Sequence, residues 1–258
     1  MNPTESILNV EGLTKYYGGL TALEDFDLYV KKGEILSLIG PNGAGKTTTF
    51  NLITGLESPT RGKVAFKGED IIELRPHQIV KKGIVRTFQL TRVFRKMTLR
   101  ENVAVAQHIA IRPGIWSALL SPSERRREQK GVEKAEEMLR FVNLFSKRGD
   151  LAANLSLGEQ KRLELAIGLS LDPELLLLDE PVAGMNPKET QEIIGLIGSI
   201  RKKGITVFLI EHDMRMVMGI SERIIVLNYG KKIAEGSPEE VSRNPAVVEA
   251  YLGARDRQ

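Results

Sequence analysis

Residues 34–47 read EILSLIGPNGAGKT, and the reading of this stretch decides the fold. Glu34 to Gly40 is a short apolar run of the kind that forms a strand buried on both faces. From Gly40 to Thr47 the residues match G-x-x-x-x-G-K-[ST] in full, and the segment GKTTTFNLITG then has helical spacing up to a stop near Gly55. Strand, glycine loop and helix in that order make a cradle for an anion. Glycines let the backbone curl until successive N–H groups point inward, and the helix N-terminus adds partial positive charge. Asn42, Gly43, Ala44, Gly45, Lys46, Thr47 and Thr48 are therefore the expected phosphate contacts. Lys46 would reach the β- and γ-phosphates, and the Thr47 hydroxyl would ligate Mg²⁺.

A metal-bound nucleotide also needs a carboxylate, and LLLLDE supplies one further along the chain. Four leucines make a buried strand from whose end Asp179 and Glu180 emerge. Neighbouring strand residues point to opposite sides, so the pair can divide labour. Asp179 is expected to hold Mg²⁺ through water, and Glu180 to polarise the attacking water as general base. LIEHD repeats the design on another strand, with His212 just past its end, where a neutral imidazole can donate to the γ-phosphate. Glu211 is a rival for the base, ranked below Glu180 because Glu180 directly follows the metal aspartate.

A second turn has the same character. In LSLGEQKRLELA, beginning at Leu155, Ser156 and Glu159 form the S-x-x-E of a capping box ahead of a helical pattern. A serine hydroxyl that accepts a capping bond still has a proton to donate. Ser156, Gly158 and Glu159 thus mark a second expected anion contact, far along the chain from the first.

Around these motifs the first 35 residues read as short strands, and RGKVAFKGEDI returns to strand and turn, a β-rich edge around the strand-loop-helix unit. Residues 95–155 read as a helical subdomain inserted into an α/β core formed by 1–94 and 156–258. PELLLLDEP, GITVFLIEHD and ERIIVLNYG read as strands of a mostly parallel sheet. The end, SPEEVSRNPAVVEAYLG, reads as two short helices, started by Ser237 with Glu240 and by Asn244-Pro245.

Composition narrows the classes. The 258 residues are 41% hydrophobic and 27% charged, which suits one packed domain. The apolar runs are a few residues long against the roughly 20 that a spanning helix needs. MNPTESILNVEG lacks a basic start and an apolar block, so no secretory signal is expected. There are no cysteines, which excludes disulfides and thiolate chemistry, and the expected compartment is the cytosol. The net charge of +4, without a basic stripe interleaved with aromatics, does not favour nucleic acid.

Taken together, the P-loop, LSLGEQKRLELA, LLLLDEP and LIEHD resemble the ATP-binding subunits of ABC transporters over essentially the whole chain. The resemblance implies a RecA-like P-loop NTPase core with an antiparallel β subdomain and an inserted α-helical subdomain. It implies that the Ser156–Gly158 turn binds the γ-phosphate held by a second subunit. Tyr17 matches the aromatic that stacks on adenine, and Gln89 the loop glutamine that senses Mg²⁺ and the membrane subunit. Ala183 to Asn186 match the loop that crosses the dimer interface. The family's LSGGQ is departed from at Leu157, which adds bulk, and at Glu159, which adds negative charge near an anion. Asn186 stands where aspartate is common, an exchange expected to weaken coupling across the pair. YYGGLTALEDFDL, GIVRTFQLTRVFRKMTLRENV, the linker around Trp116 and the tail VVEAYLG are similar to the ATPase of branched-chain amino acid importers. That subfamily implies ATP and Mg²⁺ as cofactors and peripheral attachment to the cytoplasmic face of the inner membrane. Its expected partners are two membrane subunits, a second ATPase subunit and, indirectly, a solute-binding protein. Urea or amide importers and lipopolysaccharide exporters share much of the pattern, and DNA-repair ATPases share the signature.

Overall fold

In a computed structural model that describes residues 6–87, 93–111 and 122–252, the chain opens with β1 (Ser6–Tyr17) and β2 (Leu20–Lys31). β3 (Ile35–Ile39) leads through the glycine loop into α1 (Lys46–Ile53), followed by β4 (Arg61–Phe66) and β5 (Glu69–Asp70). Next come α2 (Pro76–Lys82), β6 (Ile84–Thr87), α3 (Leu99–Ile111), α4 (Pro122–Phe141) and α5 (Leu157–Leu169). Strand and helix then alternate through β7 (Leu175–Asp179), α6 (Pro187–Lys202), β8 (Thr206–Ile210), α7 (Met214–Ile220) and β9 (Arg223–Asn228). β10 (Lys231–Gly236), α8 (Pro238–Ser242) and α9 (Pro245–Leu252) end the described chain.

The strands sort into two sheets, of order β2-β1-β4-β5 and β10-β9-β3-β8-β7-β6. The first is antiparallel. In the second, β9, β3, β8, β7 and β6 run parallel and β10 returns antiparallel to β9. The leucine run explains the layering. Leu176 and Leu178 enter one core with Val207, Leu209, Leu163 and Ile197, while Leu175 and Leu177 enter another with Phe50, Phe208 and Leu13. A strand between two cores must be apolar at every position. Each buried leucine contributes about 2 kcal/mol. The sheet is thereby pinned, and the ends of β3, β7 and β8 line up where chemistry can be placed.

The mixed α/β architecture, with its parallel sheet, antiparallel β layer and helices α3 and α4, is the expected one. Leu99 and Val103 of α3 and Ala135 and Leu139 of α4 join Leu163 and Ala166 of α5 in one core. That packing anchors α5, with Leu155 just ahead of the helix in the same core. Several details differ from the reading of the sequence. The opening strands are not short: β1 and β2 are 12 residues each, and register shifts such as that between Val10 and Leu13 blur the alternation by which length is judged. Three elements were not anticipated. β6 has four residues, too few for a period to emerge. α2 buries Ile79 alone, and β10 has no buried residue in KKIAEG. Gln89 and Trp116 lie outside the described residues.

Candidate functional site

The glycine loop is held by backbone, so side chains are excluded where it bends. Gly40 has φ +151, and a Cβ there would sit 2.1 Å from the Leu227 carbonyl oxygen. Gly45 has φ +105, and its Cβ would lie 2.5 Å from the Ala22 carbonyl oxygen. Gly45 also starts α1, and no side chain caps that helix. The N–H groups of its first turn are left for a ligand. Lys46 is buried, and its Nζ donates to the carbonyls of Gly40 at 2.7 Å and Pro41 at 2.9 Å. Burial pushes the Lys46 ammonium toward the neutral form, while Glu180 and Asp179 oppose that shift. Asn42, Gly43 and Thr47 are exposed, Ala44 is buried, and Gly45 and Thr48 are half-buried.

Asp179 ends β7, and Oδ2 of its buried carboxylate accepts from Arg86 Nη2 at 2.5 Å. The sequence pattern did not single out Arg86, although a lone cation in the buried strand GIVRTF signals a buried anion beside it. Alternation predicted that Asp179 and Glu180 would part to opposite sides. Glu180 instead adopts φ +48 as the strand ends, its N–H donating to the Ile210 carbonyl at 2.9 Å, and both carboxylates act on Lys46. Pleating governs direction only inside the strand. A left-handed glutamate costs on the order of 1–3 kcal/mol, a strain that functional sites tolerate. Glu180 Oε1 lies 3.6 Å from His212 Nδ1, and the imidazole is 59% exposed.

Glu211 is differently employed. Its fully buried carboxylate accepts from the N–H groups of Val182 at 3.2 Å, His212 at 2.8 Å and Asp213 at 3.2 Å. It braces the loops after β7 and β8, and Glu180 is the partly exposed carboxylate at the imidazole.

Tyr17, 43% exposed at the end of β1, hydrogen-bonds through its hydroxyl to Glu57. Burial, then Glu57, pushes the phenol above its usual range. A cleft of about 680 Å³ opens beside the glycine loop, lined by Gly40 to Ala44, His212, Tyr229 and residues of α9. Tyr251 of α9 lies in its wall, its phenol pushed up to about 12 by burial.

Ser156 caps α5 as its pattern requires, its Oγ accepting from the Glu159 N–H at 3.3 Å while Glu159 Oε2 accepts from the Ser156 N–H at 3.1 Å. Glu159 Oε1 also takes Lys147 Nζ at 2.6 Å, and that bond first of all holds the carboxyl below its usual range. The negative charge added to the signature is therefore partnered within the chain. Gly158 is buried: a Cβ there would meet Glu189 Oε1 at 2.8 Å. Glu189 closes the capping box with Asn186 at the start of α6, so Gly158 lies against the neighbouring helix terminus. Leu157 reaches the same neighbour, its Cδ2 lying 3.1 Å from where a Cβ of Gly184 would be. The departures at Leu157 and Asn186 thus fall in one patch. Ser156 itself is exposed and is not among the residues lining the glycine-loop cleft.

Known proteins are similar to this chain along nearly its full length. The family model described as "ABC transporter" matches residues 23–183, and "Branched-chain amino acid ATP-binding cassette transporter" matches residues 231–257. The Escherichia coli (strain K12) high-affinity branched-chain amino acid transport ATP-binding protein LivG is 46% identical over 252 residues, covering 97% of this chain and 99% of that protein. A nucleotide-free ATP-binding cassette from an ABC transporter superimposes with a TM-score of 0.85 at 33% identity, covering 95% of this chain and 98% of that one. A cassette solved as a dimer in a post-hydrolysis state, bound to ADP and phosphate, gives a TM-score of 0.75 at 27% identity, covering 90% of this chain and 98% of that one. Phosphate loop, paired carboxylates and histidine, met by these likenesses along nearly the full length, lead to one conclusion: the chain belongs to the ABC transporter family, as an ATP-binding subunit and an ATPase coupled to transport.

Proposed function

We propose that this chain powers the import of branched-chain amino acids as one of two paired ATP-binding subunits on the cytoplasmic face of the membrane. The observation that carries the pairing is the position of Ser156. It stands exposed and its hydroxyl accepts from Glu159 within its own turn, which leaves the hydroxyl proton to donate to a phosphate held by another subunit. The similar cassette solved as a dimer supports this. The cargo reading rests on the likeness to LivG and on the matched tail, whose helix α9 walls the cleft. No helix among the described residues is long and apolar enough to cross a membrane, and membrane subunits would provide the path.

In this reading Tyr17 stacks on adenine, and the backbone from Asn42 to Thr48 with Lys46 holds the phosphates. Thr47 and Asp179 offer hydroxyl and carboxylate oxygens, a donor set that suits a hard ion such as Mg²⁺. When bound, the ion neutralises charge on the β- and γ-phosphates. Glu180 takes the proton of the attacking water, and His212, 3.6 Å from Glu180, holds the γ-phosphate and orients that water. Ser156 and Gly158 of the partner subunit close over the γ-phosphate, with Glu159 fixing the turn. Gln89 lies outside the described residues, and its contact with metal and membrane subunit rests on resemblance.

Purification with the membrane subunits and a solute-binding protein, followed by assay of which solute stimulates ATP hydrolysis, tests the reading. Leucine, isoleucine or valine should stimulate. Stimulation by urea or a short amide, or by a lipopolysaccharide, would reassign the cargo and leave the ATPase in place. Full activity of a strictly solitary chain would end the pairing.

A further inference from the structure

A polar chain runs without a break from the Tyr17 hydroxyl to the Asp179 carboxylate. The Tyr17 hydroxyl donates to Glu57 Oε2, and Glu57 Oε1 accepts from Asn51 Nδ2 at 2.6 Å. Asn51 Oδ1 accepts from Arg86 Nη1 at 2.7 Å, and Arg86 Nη2 donates to Asp179 Oδ2 at 2.5 Å. The polarity is consistent at every link. The amide of Asn51 turns its NH₂ to a carboxylate and its oxygen to a guanidinium, and the reverse orientation would oppose both. Asn51 belongs to α1, the helix that carries the phosphate loop, and the Arg86 guanidinium also lies 5.4 Å from the ring of Phe50 on that helix. The inner end is dry: the Arg86 and Asp179 side chains are 6% and 3% exposed. Lys15 steadies the outer end, its Nζ 5.0 Å over the Tyr17 ring and 3.9 Å from Glu57.

We infer that Glu57, Asn51 and Arg86 are positioning residues that tie the Tyr17 hydroxyl to the Asp179 carboxylate, so that adenine seated at one end of the site sets the carboxylate that receives the metal at the other. The inference rests on the roles proposed above for Tyr17 and Asp179. The physical reason is that a carboxylate buried beside a guanidinium has few orientations, and each hydrogen bond along a chain polarises and restrains the next. Moving the Tyr17 ring onto a base moves the hydroxyl that begins the chain.

The test measures Mn²⁺ affinity by the electron paramagnetic resonance of free Mn²⁺, on the full chain loaded with a non-hydrolysable ATP analogue. Tyr17→Phe keeps the ring and removes the hydroxyl; it should weaken Mn²⁺ binding roughly threefold or more although it sits at the adenine end. Asn51→Leu cuts the middle link and should cost roughly tenfold, the scale of a lost outer-shell partner. In the Asn51→Leu background, Tyr17→Phe should have no further effect. Glu57→Gln, at a half-buried position, removes the charge that orders the links and serves as the break should Asn51→Leu fail to fold. Unchanged Mn²⁺ affinity in Tyr17→Phe, or losses that multiply in the double variant, would overturn the relay. Asp179→Asn separates the two readings. If it abolishes Mn²⁺ binding while Tyr17→Phe does nothing, the relay alone falls; if it has no effect, the assignment of the metal carboxylate falls and takes the relay with it.

Discussion

Two helix N-termini in this molecule are proposed to meet phosphate, and they are built differently. At α1 the cap is a left-handed glycine, no side chain satisfies the first turn, and a buried lysine follows. At α5 the cap is a serine whose hydroxyl and N–H are both engaged with Glu159, and the turn is exposed. An uncapped terminus leaves its N–H groups short of partners, so a ligand there supplies what the fold omits. A capped terminus is content alone and offers an anion one hydroxyl proton and a residual dipole. The first suits durable holding of a nucleotide. The second suits a contact made and released in each cycle.

The largest effect expected is at the carboxylate beside His212. Glu180→Gln should lower turnover at least about 100-fold, the lower range for general-base removal, while ATP still binds. Light scattering should then find a dimer stabilised by ATP, and near-normal hydrolysis would reassign the base. Ser156→Arg blocks the α5 terminus; hydrolysis should fall roughly 100-fold, as for a lost transition-state donor, with nucleotide affinity of the isolated chain unchanged. Equal loss of binding and hydrolysis would erase the contrast between the termini. Gly45→Ala attacks the α1 terminus, where the methyl meets the Ala22 carbonyl at 2.5 Å. Strain on the order of 1–3 kcal/mol should appear as a lowered denaturation midpoint together with weakened ATP binding. Loss of stability with intact binding would show that the loop tolerates the bend.

The smallest effect concerns Glu159. Lys147 holds its folded carboxyl below the usual range, so the stability it adds is fully present at pH 7. That stability is lost as the pH falls below the ordinary carboxylate value of 4.5 and through the lowered folded one. The difference in urea midpoint between wild type and Glu159→Gln should therefore shrink in that acid window. A difference that grows there would reverse the assignment.

Much of this site could be read from single segments, because each motif is a local device. The phosphate loop needs its glycines within eight residues, and the Ser156 box closes over three. Other features joined segments far apart and left no pattern. Arg86 meets Asp179 across neighbouring strands and Asn51 across a helix, each contact a product of packing. Glu180 and Glu211 both follow apolar strands; the place directly after Asp179 ranks Glu180 first, but no spacing says what occupies Glu211. Burial does, since Glu211 is consumed by three backbone N–H groups.

The sequence by itself determined the parallel α/β core, the phosphate loop and the capped second turn, because hydrophobic period, glycine placement and capping act over a few residues. Only the tertiary structure decided which carboxylate stays accessible, how the charge of Glu159 is neutralised and that Ser156 stands apart from the cleft. Those outcomes depend on burial and on contacts made only by folding, and a linear pattern carries no distance in space.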